Sequence, residues 1–121
     1  MTYKRNLREY GRKYEKIAAQ YLEKQGYQIL EYNFHCRYAE IDIVAQDGDT
    51  LVFCEVKYRK GEEASAALAA VDIKKQRRIS RAALYYLSRY GYGDIRCRFD
   101  VIGITDRETV LVRNAFDYIG V

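Results

Sequence analysis

The chain of 121 residues contains no proline, one histidine and only three cysteines. No repeat, low-complexity tract or linker interrupts it, so one domain over residues 1–121 is expected. Cys36, Cys54 and Cys97 show no Cys-x-x-Cys spacing, and His35 beside Cys36 falls short of the three or four ligands of a zinc site. The cysteines therefore read as reduced core residues. No apolar run reaches membrane-spanning length, and the first residues lack the apolar segment of a signal peptide. A cytoplasmic protein without a membrane partner is expected. Hydrophobic residues make up 49% and charged residues 31%, an ordinary globular balance, and the net charge of +4 permits a polyanionic partner without demanding one.

What the chain does have is a stretch from Glu40 to Lys57 in which two runs rich in Ile, Val, Leu and Phe flank Asp47-Gly48-Asp49. Asp-Gly between apolar runs signals a β-hairpin, because Gly tolerates positive φ. A two-residue turn at Asp47-Gly48 sets Asp42 opposite Phe53, whereas a turn at Gly48-Asp49 sets it opposite Glu55. In both registers the period of two gathers Glu40, Asp42, Glu55 and Lys57 on one face and Ile41, Ile43, Ala45, Val52, Cys54 and Val56 on the other. Only an odd loop or a bulge would split them. Such a charge cluster is hard to explain by stability, since each ion taken from water costs several kcal/mol before pairing offsets it. Solvated strand ends with a weak Glu-Lys contact are the plain alternative.

Around the hairpin, Asn6 and Glu9 resemble a capping box. Tyr10, Tyr14, Ile17, Ala18, Tyr21 and Leu22 then recur at helical spacing until Gly26. Glu15 lies on the flank of that stripe. Residues 27–33 read as a first strand and residues 34–38 as a connection into the hairpin. A polar stretch after Lys57 and the small residues 64–70 read as a mobile loop or weak helical turn. Asp72 reads as the N-cap of a second helix closed by Gly91, with Ile79, Ala82, Ala83, Tyr86, Leu87 and Tyr90 inward. Lys74, Arg77, Arg78 and Arg81 form its basic outer face, while Lys75 and Gln76 point inward at its start. Residues 96–104 and 109–115 complete the order αβββαββ, an α/β fold with a mixed central sheet flanked by helices.

A carboxylate on one hairpin strand followed by Glu-Val-Lys on its partner, here Asp42 with Glu55-Val56-Lys57, resembles the PD-(D/E)XK nuclease core. Five blocks in order, at residues 11–22, 40–45, 51–57, 75–79 and 98–102, are similar to the YraN-like family of uncharacterised bacterial proteins. That family in turn resembles archaeal Holliday-junction resolvases. The resemblance implies a restriction-endonuclease-like fold and a Mg²⁺-dependent endonuclease, with Mn²⁺ able to substitute, acting on DNA and on branched or recombination intermediates. By the same resemblance, Asp42, Glu55 and the Val56 carbonyl look like the metal ligands. Lys57 looks like the lysine beside the scissile phosphate, and Glu15 like the helix carboxylate that completes a resolvase site. Gln76, or else Lys75, looks like the helix-borne polar residue that closes it. Lys74, Lys75, Arg77, Arg78 and Arg81 are the expected nucleic-acid contacts. Resolvases of this type act as dimers, so a homodimer is admitted. Glu40 fits the family pattern without an assigned role. Ile41 stands where the superfamily's proline would precede Asp42, and Ala39 stands where the YraN-like pattern shows Gly.

The chemistry suits the residues. Hard carboxylate oxygens suit Mg²⁺, and a lysine ammonium ~4 Å from a phosphate oxygen contributes up to ~4 kcal/mol at an effective dielectric of 20. The competing function is a nucleic-acid-binding or scaffold protein that keeps the fold without useful catalysis. A metal-dependent hydrolase acting on a nucleotide is a further class.

Overall fold

The computed structural model describes residues 2–61 and 71–120, with side chains from residue 13 onward. The small-residue stretch 64–70, expected as a loop or weak helical turn, lies outside them. Helix α1 spans Thr2–Lys24 and is followed by β1 (Gln28–His35), β2 (Glu40–Asp47) and β3 (Thr50–Tyr58). Helix α2 (Ile73–Arg89), β4 (Arg96–Ile104) and β5 (Thr109–Phe116) complete the order αβββαββ. The five strands form one sheet in sequence order. Only the β3–β4 pair is parallel, because α2 carries the chain back along the sheet between them.

Each helix covers one face. Ala18, Ala19 and Leu22 of α1 pack on Ile43, Ala45, Val52, Cys54, Ile102 and Ile104. Ile79, Ala82, Ala83 and Tyr86 of α2 pack on Val44, Leu51, Phe53, Phe99 and Val101. Strand β3 is therefore apolar on both faces through Cys54 and turns polar only beyond it, at the end that carries Glu55 and Lys57.

Several local expectations are corrected. Helix α1 starts at Thr2, ahead of the capping-box residues Asn6 and Glu9. No Gly or Pro in residues 2–5 stops the helix from extending outward. Ile17, expected in the buried stripe, is 36% exposed, and Ala19 takes its place against the sheet. Gly26 (φ +95) ends the helix as expected, with the Tyr27 amide bonded to the Leu22 carbonyl. Strand β1 runs on through Phe34 and His35, residues expected in a connection. Asp72 caps α2 by accepting from the Lys75 amide at 2.8 Å, and Gly91 (φ +70) closes it. Tyr90, expected inward, is 49% exposed.

The hairpin takes the Gly48-Asp49 turn. Asp47 pairs with Thr50 and Ile43 with Cys54, so the register that sets Asp42 against Glu55 is the observed one. The face assignment needs one change. Ile41 joins the α2-side core and Ile43 the α1-side core, although two residues along a strand ordinarily share a face. The β2–β3 ladder stops at Ile43 and Cys54, and Asn33, in register with Asp42 on β1, adopts left-handed φ 53. The strand turns over between Ile43 and Ile41. Glu40 and Asp42 consequently do not share one flat face with Glu55 and Lys57.

Candidate active site

Where the β2–β3 ladder opens, the Val56 amide donates to Asp42 Oδ2 at 2.8 Å instead of to a strand carbonyl. In an extended strand the N–H and C=O of one residue point to the same side, so the Val56 carbonyl is directed toward Asp42 as well. Asp42 also shares a hydrogen bond with Glu55. Burial, then this bond and the Glu55 charge, push the Asp42 carboxyl from an ordinary 3.8 up to about 9, against the lowering effect of the Val56 amide. Burial beside Glu55 thus favours the protonated form of Asp42.

Glu55 is 5% exposed. Its Oε2 lies 3.3 Å from Lys75 Nζ and 3.9 Å from Lys57 Nζ, yet neither ammonium donates a hydrogen bond of acceptable geometry. Among the described residues it is the one buried side-chain oxygen or nitrogen left without a hydrogen-bond partner. Leaving such a group unsatisfied is costly, and it is the kind of vacancy in a hydrogen-bonding scheme that a cation fills.

On the other side of Asp42, one carboxylate oxygen each from Glu15, Glu40 and Asp42 lie within 4.8 Å of one another. Glu15 reaches this cluster from α1 and accepts from Asn33 Nδ2 at 2.8 Å. Glu40 is paired with His35 at 3.5 Å. Asp42 is thus common to two acidic groupings, one with Glu55 beneath α2 and one with Glu15 and Glu40 beneath α1. The donor set, hard oxygens with a deeply buried orphan among them, fits Mg²⁺ or Mn²⁺.

Of the two helix-borne candidates, Lys75 extends to Glu55, whereas the Gln76 amide donates back to the Val71 carbonyl at 3.1 Å. Lys74, Arg77, Arg78 and Arg81 are all exposed. The sequence reading passed over Asn33, which holds Glu15 and sits opposite Asp42. A lone Asn in a run of aromatic and aliphatic residues is a recognisable sign of irregular backbone.

It also left Asp100 without a role. This carboxylate is fully buried and accepts from Tyr27 Oη at 2.6 Å, Arg98 Nε at 3.0 Å and the Asn114 amide at 2.9 Å. Arg98 also reaches Asp47 at 2.7 Å, so the cluster ties α1's exit, β2, β4 and β5 together. Both Asp100 oxygens and the Tyr27 hydroxyl are partnered. The cluster's role is therefore to hold the sheet in register, and the mid-strand charge in Arg98-Phe99-Asp100-Val101 was the signal for it. Cys54, buried beside Asp100 and Asp42, has its thiol pushed well above the ordinary range by burial, and all three cysteines are free.

The sequence model described as "Uncharacterised protein family UPF0102" matches residues 14–104. A UPF0102 protein of Syntrophus aciditrophicus is 43% identical over 116 residues, covering 93% of this chain and 91% of its own. One of Alcanivorax borkumensis is 46% identical over 118 residues, with 93% and 94% covered. One of Geobacter sulfurreducens is 53% identical over 91 residues, with 75% and 71% covered. The match begins at the α1 residues that carry Glu15 and ends with β4, so it spans every acidic residue of the site.

Proposed function

Since this chain belongs to the uncharacterised protein family UPF0102, a grouping by sequence and not by reaction, we propose from the site itself that it is a Mg²⁺-dependent endonuclease hydrolysing phosphodiester bonds of DNA, including branched repair or recombination intermediates. The observation that carries this reading is the buried, unbonded Glu55 Oε2 beside Asp42 and two lysines. Phosphodiester hydrolysis is slow because nucleophile and substrate are both anionic, and a site that gathers carboxylates with ammonium groups suits that difficulty.

Asp42, Glu55 and the Val56 carbonyl would hold the metal, and Glu15 and Glu40 place a carboxylate oxygen each within 4.8 Å of Asp42. When bound, Mg²⁺ supplies charge neutralisation at the phosphate and acidifies water. The chain's own residues do the rest. Asp42 would have to be ionised to hold the cation, and Glu55, if it ligated the cation, would leave the Lys75 ammonium available to phosphate. Lys57, anchored on β3 beside Glu55, steers a non-bridging oxygen as a point charge. Asn33 keeps Glu15 turned toward the cluster.

The Lys75 contact also favours a second reading. An ammonium 3.3 Å from Glu55 offsets part of the charge that a cation would otherwise meet. A nucleic-acid-binding protein that retains the fold without turnover has that feature too. The deciding experiment is a cleavage assay with Mg²⁺ or Mn²⁺ on single-stranded, duplex, flapped and four-way DNA. The nuclease reading expects metal-dependent cleavage that falls by about 10²–10³ in Lys57→Ala and vanishes in Glu55→Gln. Cleavage that survives Glu55→Gln, or DNA binding with no cleavage under any of these conditions, refutes it.

A further inference from the structure

At the far end of α2 from Lys75, a cavity of about 300 Å³ opens between the helix and strand β1. Buried Phe34 forms its floor, and Tyr85, Tyr90, Arg89, His35 and Glu31 stand around it. Tyr85 and Tyr90 flank Phe34 at ring distances of 6.1 and 6.4 Å, but they remain 40% and 49% exposed. Core packing accounts for Phe34 and for Tyr86 beneath it, both sealed from water. It does not account for two tyrosine rings left half in solvent on a cavity rim, the kind of exposed apolar surface that marks a binding site.

The charge around these rings is mostly positive. Arg89 lies over the Tyr90 ring at 5.7 Å, and Arg37 over the Tyr38 ring at 5.0 Å, next to Tyr85. Along α2, the exposed residues Lys74, Arg78, Arg81, Tyr85 and Arg89 recur at spacings of four, three, four and four, which places them on one helical face. The face is about 23 Å long at 1.5 Å per residue. It leads from the end where Lys75 meets Glu55 to the aromatic cavity. Two cavity-lining residues of β1 also touch the acidic cluster, Asn33 through Glu15 and His35 through Glu40.

We propose that the α2 stripe and this cavity bind an unpaired segment of the DNA strand, with one base stacked on Tyr85 and Tyr90 and the backbone running along the arginines toward Glu55. The proposal rests on the nuclease reading and narrows its substrate to DNA with a single-stranded region beside the cleaved bond. A base offers its π-face to a side chain only when it is out of the duplex, whereas arginines on a helix serve either form. The length of the stripe suits about four nucleotides, the lower end of known single-strand sites. Glu31 is the one acidic group among the lining residues.

The test is a binding measurement in chelator, so that it stands whether or not the protein cleaves. A fluorescent single strand and a blunt duplex of equal length are titrated with wild type, Tyr85→Ala, Tyr85→Phe and Arg78→Gln/Arg81→Gln. Tyr85→Ala should weaken single-strand binding about tenfold, leave duplex binding within twofold and leave the salt slope unchanged. Tyr85→Phe should bind as wild type does. The double arginine variant should lower the salt slope by about 0.7 per lost contact on single strands. In unaltered protein, a strand carrying 2-aminopurine at successive positions should lose fluorescence sharply at one of them. Equal weakening of duplex and single strand by Tyr85→Ala, equal weakening by Tyr85→Phe, or uniform fluorescence along the strand overturns the proposal.

Discussion

Replacing Asp42 by Asn gives the most direct physical test of the site, because the amide keeps the shape of the protonated acid. Asn can still accept from the Val56 amide and donate toward Glu55, so the contacts at 2.8 Å and across the pair survive. What disappears is the proton. The Asp42 carboxyl is raised to about 9 in the folded protein, above its unfolded value, so the native state binds more protons than the unfolded one across the interval between them. Wild-type stability is therefore present in full below the unfolded pKa and is lost as pH rises through the interval, at about 1.4 kcal/mol per pH unit. The variant lacks this slope. Between pH 6 and pH 8, in chelator, its stability relative to wild type should improve by about 2.7 kcal/mol. For a domain of this size that is a Tm difference of about 10 °C. Thermal melts followed by circular dichroism at half-unit steps of pH measure it. A gap between the two proteins that stays constant from pH 6 to pH 8 refutes the reasoning, since it means that Asp42 is already ionised when native and serves only as a partner of Val56.

Two further outcomes follow from the same geometry. Because Asp42 must release its proton to bind a cation, Mg²⁺ affinity should tighten by up to tenfold per pH unit between pH 6 and 8, read by calorimetry in buffers of different ionisation enthalpy; a dissociation constant independent of pH counts against a metal at this carboxyl. Tyr27→Phe removes the phenol that donates to Asp100 at 2.6 Å and accepts from Arg113 at 3.0 Å, and it should cost about 1–3 kcal/mol in denaturant unfolding while leaving DNA cleavage and binding as they were; a loss of cleavage without a loss of stability would move that cluster into the functional site.

The elements and their order were legible in the sequence because the signals for them are local. Gly48 between two apolar runs marks the hairpin, Asp72 and Gly91 bound α2, and the period of two assigns the faces of β3. Glu55 and Lys57 could be paired from the period of two alone, since both lie on one uninterrupted strand. The register could not be chosen that way. Turns at Asp47-Gly48 and Gly48-Asp49 satisfy the same local rules, and it is pairing along the whole ladder that selects the second.

Three things were decided only by tertiary structure. Asp42 joins Glu15 and Glu40 as well as Glu55 where the β2–β3 ladder ends at Ile43 and Asn33, in register with Asp42, takes a left-handed conformation. Lys75 rather than Gln76 reaches Glu55, since neighbouring positions on a helix differ by about 100° and the docking of α2 on the sheet sets which of them faces it. Asp100 is satisfied by Tyr27, Arg98 and Asn114, groups from α1's exit, β4 and β5. The physical reason is common to all three. Secondary structure follows from interactions between near neighbours in the chain, which sequence displays, whereas the protonation of Asp42 and the partners of Asp100 depend on groups brought together by packing across tens of residues, which sequence does not.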